Sequence, residues 1–218
     1  MEHLPVVRLH EGMRVWLMDT GLTLQRADHT DASQVHRVLD GLQALLRAEE
    51  TLCRAEEQHL FPMLMNSAPY LVCHFESEHG QMAVLRRSVS DTANAFAMST
   101  DHEMSWTQLQ MAFASYMAFV LQHGIREEVV LKGILPTCMD QDAARKIGSA
   151  ILLSLSLELR GTIIAMICGA THGEKRRMLR LELRSMGPEF SEGLYAVQVR
   201  GSSMSEWKPA KAKMTVAA

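Results

Sequence analysis

Two stretches carry residues of the types that hold metal ions. One is Arg54-Ala55-Glu56-Glu57-Gln58-His59-Leu60-Phe61-Pro62, and the other is His123-Gly124-Ile125-Arg126-Glu127-Glu128-Val129-Val130-Leu131. In the second, a histidine and a glutamate four apart stand one above the other on a single helix face. Imidazole and carboxylate together suit iron, manganese or zinc. The first stretch has the matching Glu56, but four residues earlier stands Leu52, where a histidine would complete the pair. The chain reads as a duplicated His-x-x-x-Glu with one histidine missing. That pattern points to metal chemistry at a centre that departs from the regular form.

The elements that must position these residues are helical, and no segment sustains strand alternation. A first helix is predicted from about residue 5 to 25, with Val6, His10, Met13, Leu17 and Leu24 near one face and Pro5 suited to its first turn. Asp28-His29-Thr30-Asp31 carries N-cap chemistry. A second helix follows over about 32–60, its stripe being Val35, Leu39, Leu42, Leu45, Leu52, Glu56 and Met63. A third begins near Pro69 and turns Leu71, Phe75, His79, Met82, Leu85 and Val89 inward. Ser99 to Glu103 is a polar break that reads as a capping box into a fourth helix. This fourth helix carries Phe113, Tyr116, Val120, His123, Glu127 and Val130 on one side, and Gly133 and Pro136 close it. Four long helices with short joints predict an all-α fold, an up-down-up-down four-helix bundle with additional C-terminal helices.

After Pro136 the chain becomes more apolar. A fifth helix over about 141–159, an apolar segment over 162–168 and a sixth helix opening at Thr171 and ending at Gly187-Pro188 are expected to cap the bundle or to form an oligomer contact. The domain reading is therefore 1–136 for the bundle, 137–200 for a helical extension packed on it, and 201–218 for a flexible tail.

Composition removes several function classes. The net charge of −3 argues against a nucleic-acid binder, and the basic cluster Lys175-Arg176-Arg177 is interleaved with Glu174 and Glu182 as on a solvated helix face. Glu158 and Arg160 interrupt the most apolar segment, 147–170, which reads as two buried helices and not as a membrane span. Cys53, Cys73, Cys138 and Cys168 show no C-x-x-C spacing, and the N-terminus lacks the features of a signal peptide, so a reducing, cytoplasmic setting is expected. The 16 methionines read as adaptable core packing.

Each helix offers an inward-facing ligand candidate: His10 from the first, Glu56 from the second, His79 from the third, and His123 with Glu127 from the fourth. Singly, each would read as a hydrogen-bonded core residue; jointly they favour a metal site. Other patterns are thinner. Glu56-x-x-His59 and Glu76-x-x-His79 fit the Glu-x-x-His pair of ferritin-like bundles but lie on sequential helices without the extra glutamates. His59 reads as a helix-end surface residue and His74 as structural. Cys53 is a conceivable soft ligand, although adjacent helix positions point about 100° apart. No nucleophile–base arrangement or phosphate loop is visible.

The chain resembles the hemerythrin-like family, the HHE cation-binding domains. The resemblance rests on Leu9-His10-Glu11 with Met13-Arg14, Glu56 to Pro62, Glu78-His79, and His123 to Glu128, in the family's order of His, His-x-x-x-Glu, His, His-x-x-x-Glu. It covers about 6–135, and 171–207 is more weakly similar to the C-terminal helices of longer members. What it implies is a non-haem di-iron centre with Glu56 and Glu127 as bridging carboxylates and His10, His79 and His123 as terminal ligands. Family members bind dioxygen, or sense oxygen, iron or nitric oxide, and some act in iron–sulfur repair. Leu52 stands where the family has a histidine, so one iron loses a terminal ligand. The centre then holds two irons with water or a neighbour in the gap, holds one metal with an open position, or is metal-free. The function expected is binding or sensing of dioxygen or a related diatomic. The rivals are a ferroxidase or oxidase activity, and a metal-free bundle that oligomerises through 147–170.

Overall fold

The structure, a computed structural model, describes residues 5–170. Among these the regular elements are all α-helical: α1 (Pro5–Arg26), α2 (Ala32–His59), α3 (Phe61–Met65), α4 (Pro69–Met98), α5 (His102–Cys138), α6 (Gln141–Ser154) and α7 (Leu157–Ala170). The four long helices pack in a closed ring, α1 on α2, α2 on α4, α4 on α5 and α5 on α1. The core runs down the axis of that ring through Leu17, Leu45, Phe75, Met82, Phe113 and Tyr116.

Local chemistry sets the helix starts. The Asp31 carboxylate accepts from the backbone N–H groups of Ser33 and Gln34, Asp101 accepts from Met104 and Asp140 from Ala143, satisfying donors that a helix start leaves open. The cap of α5 is thus Asp101, not the capping box anticipated from Ser99 to Glu103; the Ser99 hydroxyl instead bonds the backbone of Asp101.

Several boundaries and faces differ from the sequence reading. α5 passes through Gly133 and Pro136 and ends at Cys138, because Pro136 falls in its last turn and Leu131 and Leu135 anchor that end in the core. Past α2, Phe61–Met65 forms the short helix α3, which leaves Met63 exposed. The apolar segment breaks at Leu155–Ser156, five residues before Gly161, which lies inside α7. Ser156 Oγ accepts from the N–H of Leu159, and the Arg160 guanidinium reaches back to the carbonyls of Leu152 (3.2 Å) and Leu155 (3.1 Å). Arg160 is therefore the C-terminal cap of the helix before it. No helix of the described residues is long and apolar enough to cross a membrane.

α6 and α7 pack outside the ring, α7 on α1 and α6 on α1 and α2. This second covering explains why α1 buries Val7, Leu9 and Trp16 in addition to the stripe expected of it. Contact is close at Gly12, where a Cβ would lie 2.6 Å from Ile167 Cγ1 and 3.2 Å from the Ile163 carbonyl oxygen. Glycine lets the backbones of α1 and α7 meet. The basic cluster, the helix expected from Thr171 and the tail expected from 201 lie outside the described residues.

Candidate metal centre

The five expected ligands converge inside the ring. His10 (α1), Glu56 (α2), His79 (α4), and His123 with Glu127 (α5) are all buried, Glu127 completely and Glu56 to 2 % exposure. His10 Nε2 lies 2.9 Å from Glu56 Oε1 and 3.5 Å from Glu127 Oε2. His123 Nε2 lies 3.1 Å from Glu127 Oε2, and His79 Nε2 lies 3.6 Å from Glu56 Oε2. Their donor atoms form three overlapping groups that can hold a metal ion: His10 with Glu56 and Glu127, His79 with His123 and Glu127, and Cys53 with Glu56 and His79. His59 and His74 belong to none of them. His74 is exposed and pairs with Glu78 at 3.4 Å.

The imidazoles are aimed by carboxylates that the sequence reading did not single out for a role. Glu57 of α2 bonds His79 Nδ1 on α4 at 2.8 Å, and Glu78 of α4 bonds His123 Nδ1 on α5 at 2.7 Å. Arg126 holds the other Glu78 oxygen. A carboxylate on Nδ1 fixes the proton there and turns the Nε2 lone pair inward, the arrangement that supports metal-bound histidines. Each of these residues adjoins a ligand in sequence. One step along a helix rotates a side chain by about 100°, so Glu57 and Glu78 point at neighbouring helices while Glu56 and His79 point at the centre. Such adjacency, Glu56-Glu57 and Glu78-His79, was the available signal. The third such carboxylate, Glu128, instead binds Arg14 and Lys132, and His10 Nδ1 is buried without a hydrogen-bond partner.

The arrangement demands positive charge. Two buried carboxylates face one another's ligands, and burying such groups uncompensated is costly. Neither oxygen of Glu127 has a hydrogen-bond partner, and neither does His79 Nε2. With the chain's own groups, His10 supplies part of the charge. Burial pulls its pKa down, but the Glu127 charge and the hydrogen bond and charge of Glu56 outweigh this and raise it to about 9. His123 is also raised, burial being outweighed by Glu127 and Glu78. Burial pushes Glu127 upward, yet the opposing charges of His10 and His123 leave it below the usual carboxylate range. The residues fit a cation: Glu127 and His79 Nε2 offer buried donor atoms without hydrogen-bond partners, and a metal ion would displace the proton that His10 holds against the two carboxylates.

Beside the ligands is a cavity of about 40 Å³ lined by His10, Glu49, Leu52, Cys53, Glu56 and His123, among others. Leu52 therefore occupies the ligand side of α2 without offering a donor. Next to it a second buried polar group was missed from sequence. Glu49 accepts from Arg86 Nη1 at 2.5 Å and from Cys53 Sγ at 3.2 Å. The Tyr116 hydroxyl is buried close by, its pKa pushed up by burial and by the Glu49 charge. Glu49 precedes Cys53 by one helical turn, a spacing that could have flagged it.

In comparisons with known proteins, no family model, no curated protein and no solved structure matches this chain.

Proposed function

We propose that the chain is a hemerythrin-like, non-haem iron protein of the cytoplasm that binds or senses dioxygen or a related diatomic. In this reading α1, α2, α4 and α5 form the up-down-up-down bundle, and α6 and α7 belong to an extension that can serve a homo-oligomer. His10, Glu56, His79, His123 and Glu127 hold one or two irons. The observation that carries the reading is the meeting of these five side chains from four helices, with both Glu127 oxygens and His79 Nε2 buried and lacking hydrogen-bond partners. Iron bound there would supply redox chemistry, and Leu52 offers it no donor from its own position on α2. Glu57 and Glu78 hold the two imidazoles in the tautomer that donates through Nε2, and Leu52 keeps the cavity wall apolar. Binding is favoured over turnover of an organic substrate by size. About 40 Å³ accommodates a diatomic or water, whereas small-molecule pockets run to roughly 300–1,000 Å³.

The test is metal analysis and optical spectroscopy of protein purified without oxygen, beside a Leu52→His variant. The expected outcome is iron in both, with higher iron content or a longer-lived response to dioxygen in the variant. Equal metal content and spectra would remove the claim that Leu52 weakens the centre. A protein that contains no metal, and whose thermal midpoint does not move when iron is added, overturns the iron reading. Sustained oxygen consumption with Fe(II) would move the assignment to a ferroxidase.

A further inference from the structure

We infer that the Cys53 thiol is a ligand of the metal centre, standing in for the imidazole that position 52 lacks and making the site one of mixed sulfur, nitrogen and oxygen donors. The inference rests on the metal-binding reading above. Sequence spacing alone argued against Cys53, because it follows Leu52 by one residue. In the structure, however, Cys53 precedes Glu56 by three, which puts the two on one helix face, and Cys53 is buried in the wall of the same cavity. Its Sγ, a Glu56 carboxylate oxygen and a His79 ring nitrogen lie within 4.8 Å of one another. Metal–sulfur and metal–nitrogen bonds are about 2.3 and 2.0–2.1 Å, so donors at tetrahedral angles about one ion stand roughly 3.6 Å apart. The trio shares an ion if it draws together by up to about 1 Å.

A separate observation points to the same place. His79 Nδ1 is bonded to Glu57, so its Nε2 carries the free lone pair, and that nitrogen is buried without a hydrogen-bond partner. It faces Glu56, and Cys53 completes the group. The thiol now donates to Glu49, which Arg86 anchors. On coordination the S–H bond breaks, the sulfur–metal bond forms, and the proton leaves to the buffer. A thiolate in the set selects borderline transition-metal ions such as Fe(II), Co(II) or Zn(II) over magnesium or calcium.

Cobalt(II) titration of the full chain under reducing conditions tests this, because thiolate-to-cobalt charge transfer and cobalt ligand-field bands report sulfur ligation and metal binding separately. The expected result is both sets of bands in the unsubstituted protein. In Cys53→Ser and Cys53→Ala the charge-transfer band is lost and cobalt affinity falls by about tenfold or more, given that losing even a supporting partner costs about 10–100-fold. Cys73→Ser keeps the band. Far-ultraviolet circular dichroism verifies that each variant is folded. Ligand-field bands without the charge-transfer band, or a band that survives in folded Cys53→Ala, overturns the role of Cys53 and leaves the metal site standing. No cobalt uptake by the unsubstituted protein overturns both.

Discussion

On the α4–α5 side of the centre, His79 and His123 each have Nδ1 held by a carboxylate from a neighbouring helix. On the α1–α2 side, His10 has no such partner, position 52 carries a leucine, and the cavity opens between them. One side is preorganised, its imidazoles locked in tautomer and direction before any ion arrives. The other has polar groups with slack: a carboxylate, a thiol and an imidazole whose only hydrogen bond is to a fellow ligand. The difference originates in one pairing. Glu57 and Glu78 serve histidines, whereas Glu128 is drawn to Arg14 and Lys132. A centre of this kind would hold an ion firmly at one side and leave adjustability to the other.

The largest expected effect concerns the slack side and is read in the metal-free protein. His10 has its pKa raised from 6.5 to about 9. Its protonated form therefore stabilises the fold fully below pH 6.5, and that contribution disappears as the pH climbs through about 9. The shift corresponds to on the order of 3 kcal/mol. Thermal midpoints of chelator-treated protein should fall across this interval, and those of metal-loaded protein should stay flatter. A metal-free protein with a level profile would mean that His10 is not the group balancing Glu56 and Glu127.

Next in size, Glu78→Ala makes the organised side resemble the slack one. It frees His123 Nδ1 and releases Arg126. Metal affinity should drop about 10–100-fold with helicity retained, measured by competition with a chelator. Unchanged affinity would show that anchoring the imidazole contributes nothing, and the contrast between the two sides would lose its meaning. The smallest effect lies behind His10. Gly12→Ala forces a methyl group against Ile167 and the Ile163 carbonyl. Overpacking costs about 1–3 kcal/mol and alanine recovers up to about 1 kcal/mol of helix propensity, so a net loss of roughly 1 kcal/mol is expected in chemical denaturation. No loss, or a gain, would show that α7 yields freely and does not brace α1.

Much of the architecture was legible because helical periodicity and caps are local. The inward stripes of α2, α4 and α5 emerged from spacing, and Asp31 announced the start of α2. The convergence of the candidate ligands was partly legible for the same reason, since His123 and Glu127 are one turn apart. What escaped needed knowledge of neighbours. Glu57 and Glu78 had no role that their own helices could reveal, because their histidine partners lie on adjacent helices. The second buried face of α1 exists only because α6 and α7 cover it. Cys53 was set aside on an angular argument that held for its relation to Leu52 but not for its relation to Glu56. Pro136 and Gly133 misled about where α5 ends because the core contacts of Leu131 and Leu135 override local stop signals.

The reach of the Arg160 guanidinium back to Leu152 and Leu155 has a consequence of scale. As one uninterrupted helix, residues 147–170 would extend roughly 36 Å at about 1.5 Å per residue, enough to match the roughly 30 Å hydrocarbon thickness of a bilayer. The break instead leaves two helices of 14 residues each, about 21 Å long. Each is too short to bridge that thickness and well sized to lie along a neighbouring helix, as α7 does on α1 and α6 on α1 and α2.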